Sequence, residues 1–145
     1  MFDQEMKKEI IMDNYMNPYN RETIEDDSCI KVNTNSESCI DNIDLYVKIE
    51  DDIIKDIHFN GEACAISTSS TSIMIKLLIG KTVSEAKEII KNYNNMIEEK
   101  EYNPDLLGEA NVYEDIHNQK NRIACATISW RGFVKVLEEY ENKKA

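Results

Sequence analysis

Residues 43–59 read Ile43-Asp44-Leu45-Tyr46-Val47-Lys48-Ile49-Glu50-Asp51-Asp52-Ile53-Ile54-Lys55-Asp56-Ile57-His58-Phe59. Ile43, Leu45, Val47 and Ile49 alternate with Asp44, Tyr46 and Lys48, the period of a half-buried strand. Glu50-Asp51-Asp52 forms a turn, and residues 53–59 return as a second strand with Ile53, Ile57 and Phe59 on one face. Upstream, Cys29-Ile30-Lys31-Val32-Asn33 reads as a further short strand. Three such strands make an antiparallel meander with one wet face and one covered face.

Helical patterns flank this meander. Residues 4–16 form a first helix with Met6, Ile10 and Ile11 as its apolar stripe, stopped by Asn17-Pro18; residues 17–28 are polar loop. After Cys64 the period changes: residues 65–79 carry Ile66, Ile73, Leu77 and Leu78, and Gly80 ends that helix. Thr82-Val83-Ser84-Glu85 has the capping-box pattern for a helix to about residue 99, with Val83, Ala86, Ile90, Tyr93 and Ile97 inward. Residues 103–108 form a turn or short helix, and 110–121 read as irregular. A last helix starts near Cys125, with Ile128, Trp130, Phe133, Val134, Leu137 and Tyr140 as apolar contacts and Lys143 and Lys144 near its carboxyl end. The fold class is α+β: a small three-stranded antiparallel sheet with helices packed on one face.

At 145 residues the chain is expected to form one domain, residues 1–145, with a real core. Seventeen basic residues against 28 acidic ones give a net charge of −11, which repels phosphate backbones and excludes nucleic acid as the natural partner. The same charge suits a partner with a basic docking face. The start, Met1-Phe2-Asp3-Gln4-Glu5, lacks the basic-then-apolar layout of a signal peptide, and no apolar run approaches the ~18 residues of a membrane span. A cytoplasmic, reducing location is the expectation. There, the four cysteines are metal-binding or catalytic sooner than disulfide-bonded, and no CxxC pair marks a thioredoxin motif or a zinc ribbon.

Three cysteines and one aspartate stand out. Cys39 and Asp41 lie in Ser38-Cys39-Ile40-Asp41, Cys64 in Gly61-Glu62-Ala63-Cys64-Ala65-Ile66-Ser67, and Cys125 in Arg122-Ile123-Ala124-Cys125-Ala126-Thr127. Three thiols and a carboxylate supply the four ligands of a tetrahedral zinc site, and the oxygen ligand is the natural one to exchange. Cys39 and Asp41 can reach one centre if the chain there is extended. Cys64 and Cys125 are expected at helix starts, where the partial positive charge favours thiolates. The competing reading takes each cysteine as a small buried apolar residue, and it is the one adopted for Cys29, between loop and strand. His58 and His117 are the alternatives to Asp41 as fourth ligand, without supporting local pattern. The hydroxyl run Ser67–Ser72 has no partner base and reads as small residues for close helix packing.

The order and spacing of these segments resemble the SufU branch of the IscU/NifU N-terminal family of iron–sulfur assembly proteins. The likeness runs through Asn17-Pro18-Tyr19-Asn20, Ser38-Cys39-Ile40-Asp41, Cys64-Ala65-Ile66-Ser67, Gly80-Lys81-Thr82, Leu107-Gly108 and Arg122–Thr127 with Trp130. The long separation of Cys64 and Cys125, and Ala124 in place of a histidine before the third cysteine, favour SufU over IscU proper. The resemblance implies zinc at Cys39, Asp41, Cys64 and Cys125. It also implies a zinc-dependent sulfurtransferase whose Cys39 leaves the zinc to accept persulfide sulfur from a SufS-type pyridoxal-phosphate cysteine desulfurase, a desulfurase histidine taking its place on the metal. Arg122 is implied as a supporting residue, and downstream cluster-assembly proteins as further partners. The alternative function is a scaffold on which a transient [2Fe–2S] cluster is assembled and donated; a third is a metal-stabilised interaction module without transfer activity. Three positions depart from the family pattern: Ile40 and Ala63 where glycines are common, and Ala124 where SufU-like proteins commonly carry lysine.

Overall fold

The computed structural model describes residues 2–34 and 41–144, so Cys39 and Ile40 lie outside the described residues. The element order is α1 (Gln4–Met16), β1 (Ile30–Asn33), β2 (Asn42–Glu50), β3 (Ile53–Glu62), α2 (Ala65–Leu78), α3 (Val83–Ile97), three short 3-10 helices (Pro104–Leu106, Gly108–Tyr113, Ile116–Asn118) and α4 (Lys120–Lys144). The three strands form one antiparallel sheet in the order β1-β2-β3. Ile43, Leu45 and Val47 are fully buried on its covered face, as their alternation requires. There α4 packs on β1 and β2, α2 reaches β3, and α1 and α3 lie against α2 and α4 respectively.

The β2–β3 hairpin turns through Asp51 and Asp52, both at positive φ (53° and 62°), the backbone of a two-residue type I′ turn. A register shift between Lys48 and Ile49 inserts a bulge in β3, pairing Ile49 with Ile54. One extra residue reverses the inward face. Ile54 is therefore fully buried and Ile53, expected inward, is only half-buried.

Several expectations meet the structure well. Thr82 and Glu85 form the reciprocal capping box of α3, and Val83, Ala86, Ile90, Tyr93 and Ile97 are all buried. Others are corrected. Met6 is exposed on α1, which instead buries Lys7 and Asn14. Lys7 is held by Asp115 at 2.8 Å and Glu114 at 3.4 Å. Asn14 donates to Ile10 O and accepts from Ser72 Oγ, each at 2.8 Å. Residues 110–121 are not irregular: 3-10 turns there deliver Ala110, Val112, Tyr113 and Ile116 to the core. Val134 lies on the exposed side of α4. Finally, α4 starts at Lys120, earlier than expected.

Two glycines allow approaches that a side chain would block. A Cβ at Gly132 of α4 would lie 2.2 Å from Cγ2 of Thr34, the buried residue that follows β1. Gly61 has φ +135°, and a Cβ there would lie 2.0 Å from Asn42 O. Both close approaches lie at strand ends, Gly132 against the residue after β1 and Gly61 against the first residue of β2.

Candidate metal centre

Sheet register explains why Asp41 and Cys64 meet. Asn42 pairs with Glu62 at the open end of the β2–β3 ladder. Asp41 precedes the first of these and Cys64 follows the second by two residues, so the strands deliver both to one edge. Cys64 is the N-cap of α2, with extended backbone (φ −69°, ψ 171°), and its sulfur accepts from Ser67 N–H at 3.4 Å. The Cys64 N–H donates to Asp41 Oδ1 at 2.7 Å. The Ser67 hydroxyl donates to Asp41 Oδ2 and lies 3.4 Å from Cys64 Sγ.

Cys125 reaches the same place from α4. It lies in the second turn of that helix rather than at its start; of the two cysteines expected at helix starts, only Cys64 is at one. What fixes Cys125 is the α2–α4 contact beside it. The Ala126 carbonyl accepts from Ser70 Oγ at 2.7 Å and from Tyr93 OH at 2.6 Å. Trp130 Nε1 donates to Ser70 Oγ at 2.9 Å, and the Trp130 and Tyr93 rings stack 3.8 Å apart at 6°. Hydrogen bonds and stacking thus set the register of α4 on α2 one residue away from the thiol.

The outcome is a cluster: one oxygen of Asp41 and the sulfurs of Cys64 and Cys125 all lie within 4.8 Å of one another. Asp41 is 0% exposed and Cys125 4%, while Cys64 is half-buried. Ligands at about 2.0–2.3 Å from a common ion stand roughly 3.5–4 Å apart, within a side-chain adjustment of this spacing. Two soft sulfurs and a carboxylate suit zinc and suit iron–sulfur clusters as well.

The other candidates fall elsewhere. His58 Nδ1 is 3.4 Å from Asp56 and His117 Nε2 is 3.3 Å from Glu99; among the described residues neither joins the cluster. Cys29 precedes β1 half-buried and outside the core, where burial and then the Asp26 charge push its thiol up, the direction of an inert cysteine. Cys29, Cys64 and Cys125 carry no disulfide. Arg122 is exposed in the first turn of α4, and Cys39 is outside the described residues. The hydroxyl run of α2, expected from the sequence to serve close packing alone, is also a set of hydrogen-bond donors. Its bonding role had one legible signal, the three-residue spacing from Cys64 to Ser67 that links an N-cap to the third helical position.

The sequence profile described as "NifU-like N terminal domain" matches residues 6–145. The zinc-dependent sulfurtransferase SufU of Bacillus subtilis is 35% identical over 135 residues, covering 92% of this chain and 90% of that protein. The iron–sulfur cluster assembly scaffold protein IscU of Thermotoga maritima is 31% identical over 114 residues, 79% of this chain and 80% of that one. A crystal structure from Fervidobacterium islandicum AW-1, described as a candidate iron–sulfur cluster assembly scaffold for the SUF system, superimposes with a TM-score of 0.80 at 35% identity, over 90% of this chain and 92% of that one. The N-terminal part of a NifU-like protein from Brucella abortus has the same fold, with a TM-score of 0.85 at 18% identity. With a family match spanning nearly the whole sequence and the thiol–carboxylate cluster at the sheet edge, the chain belongs to the NifU-like N-terminal domain family.

Proposed function

We propose that this chain is a zinc-dependent sulfurtransferase of iron–sulfur cluster assembly, working as one domain over residues 1–145 in the cytoplasm. Zinc is held by Cys39, Asp41, Cys64 and Cys125. The observation that carries the reading is the convergence of Asp41, Cys64 and Cys125 within 4.8 Å. The strong similarity to SufU supports it. Bound zinc would keep the ligating thiols deprotonated and organised.

Cys39 is the acceptor. Its thiolate attacks the outer sulfur of a persulfide on a SufS-type pyridoxal-phosphate cysteine desulfurase. A new S–S bond forms on Cys39, the donor's S–S bond breaks, and the donor cysteine departs as a thiolate. Sulfane sulfur moves without net oxidation, so no outside oxidant is needed. Asp41, Cys64 and Cys125 remain as the anchored part of the site, held by the sheet edge and by the α2–α4 contact. Arg122, exposed three residues before Cys125, is the supporting residue of this reading, a guanidinium that would meet the anionic persulfide or the docking partner. The chain's net charge of −11 suits a desulfurase with a basic docking surface.

Similarity to IscU favours a second reading, a scaffold that assembles and donates a [2Fe–2S] cluster on the same residues. Incubation with a SufS-type desulfurase and cysteine tests Cys39 as the acceptor. Intact-mass analysis should show one added sulfur on the wild-type chain and none on Cys39→Ser, which should still melt cooperatively. Normal sulfur acceptance by Cys39→Ser would remove Cys39 from the mechanism.

A further inference from the structure

We propose that Ser67 is a positioning residue of this centre: it aims the Asp41 carboxylate at the thiols and sets how tightly zinc is held. The proposal rests on the reading of Asp41, Cys64 and Cys125 as zinc ligands.

Asp41 is a carboxylate with no exposed surface. Such a group is costly to bury unless it is hydrogen-bonded. Among the described residues, donors from the start of α2 meet it on both oxygens. The Cys64 N–H reaches Oδ1 at 2.7 Å, and the Ser67 hydroxyl reaches Oδ2. Ser67 is itself fully buried, so water does not compete for that bond. A carboxylate offers four lone-pair sites on its two oxygens, so accepting these bonds does not disqualify it as a ligand.

Ser67 also serves the neighbouring ligand. Its backbone N–H donates to Cys64 Sγ at 3.4 Å, and its hydroxyl lies 3.4 Å from the same sulfur. One residue, fixed in the first turn of α2, thereby ties the two ligands to each other. The Ser67 carbonyl accepts from Thr71 Oγ1 at 2.7 Å, which anchors that turn to the next. This is the arrangement expected of a residue that orients metal ligands without binding the metal.

Zinc affinity should be measured by competition with a chromophoric chelator, and the visible spectrum recorded with cobalt(II) in place of zinc. Removing a residue that orients a ligand typically costs about 10–100-fold in metal affinity, and that loss is expected for Ser67→Ala, with an altered cobalt spectrum. Ser67→Thr, which keeps the hydroxyl, should stay within about threefold of wild type. In the Asp41→Ala background, Ser67→Ala should weaken zinc by no more than about twofold further, because the group it aims is gone.

An unchanged affinity and cobalt spectrum in Ser67→Ala, with tight zinc binding by wild type, would overturn the role of Ser67 and leave the metal reading standing. An equal loss in both backgrounds would also overturn it, showing a general structural defect. If Ser67→Ala fails to fold, Ser67→Thr decides: a loss of the 10–100-fold kind there contradicts the assignment. A wild-type chain that binds no zinc would sink the metal reading itself, and this inference with it.

Discussion

Helices α2 and α3 are nearly equal in length, 14 and 15 residues, and both are largely buried, yet they are buried by opposite chemistry. α3 is a conventional amphipathic helix, with a capping box at one end and a stripe of Val83, Ala86, Ile90, Tyr93 and Ile97 inward. α2 buries six consecutive hydroxyl residues, Ser67 to Ser72, none more than 2% exposed. Burying hydroxyls costs free energy unless each finds a partner. Here each does: Ser67 on Asp41, Thr68 on Ala63 O, Ser69 with Tyr113, Ser70 on Ala126 O, Thr71 on Ser67 O, and Ser72 on Asn14. Apolar packing tolerates small slides, whereas this set of bonds is satisfied in one arrangement. The helix that carries Cys64 is thus the one whose position is specified by directional bonds.

Substitutions on the two helices should separate these modes of burial. The largest effect is expected for Tyr93→Ala, which empties a fully buried ring site stacked on Trp130; about 3–5 kcal/mol of stability should be lost in urea unfolding. A loss below about 1 kcal/mol would mean that the stack contributes little to the core.

Next comes a pair of serines. Ser70→Ala should cost about 1–3 kcal/mol, because it leaves the buried Trp130 N–H without its acceptor. Ser84→Ala, on the exposed side of α3, should change stability by less than about 0.5 kcal/mol. Equal effects in the same urea series would break the distinction between the helices.

Alkaline pH gives a third test. Burial raises the hydroxyls of Tyr93 and Tyr113 well above the ordinary tyrosine range. A raised folded-state value means that the unfolded chain ionises first. The contribution is intact below about pH 10, where the unfolded tyrosine titrates, and is lost as pH rises toward the folded-state values. Near pH 11 the loss should be about 1 kcal/mol per tyrosine, and Tyr93→Phe should remove its share of that pH dependence. Unfolding curves that do not change between pH 9 and 11 would contradict this.

A smaller effect than those of Tyr93 and Ser70 is expected at the helix cap. Thr82→Ala removes one half of the α3 capping box and should cost about 0.5–1 kcal/mol by thermal or urea unfolding, without moving the metal site.

The contrast between the two helices also explains what was legible in the sequence. The strands, α3 and its cap follow local patterns, and the structure reproduces them. The face reversal at Ile53 and Ile54 was hidden because a bulge is a property of the paired ladder, not of either strand alone. The inward turn of Lys7 depended on Glu114 and Asp115, more than a hundred residues away. The buried hydroxyl network was hidden for the same reason, since most of its partners lie on other elements. Residues 110–121 contribute to the core through 3-10 turns whose pattern has neither the period of a strand nor that of an α-helix. At the candidate centre, residue chemistry pointed to Asp41, Cys64 and Cys125, and the fold brings those three together; Cys39, named with them, lies outside the described residues.

The most direct test of the central claim is the content of zinc, iron and acid-labile sulfide per chain after strictly anaerobic purification of the wild-type protein. The account predicts about one zinc per chain with neither iron nor sulfide. Stoichiometric iron and sulfide on the same chain would contradict it and assign the site to cluster assembly instead.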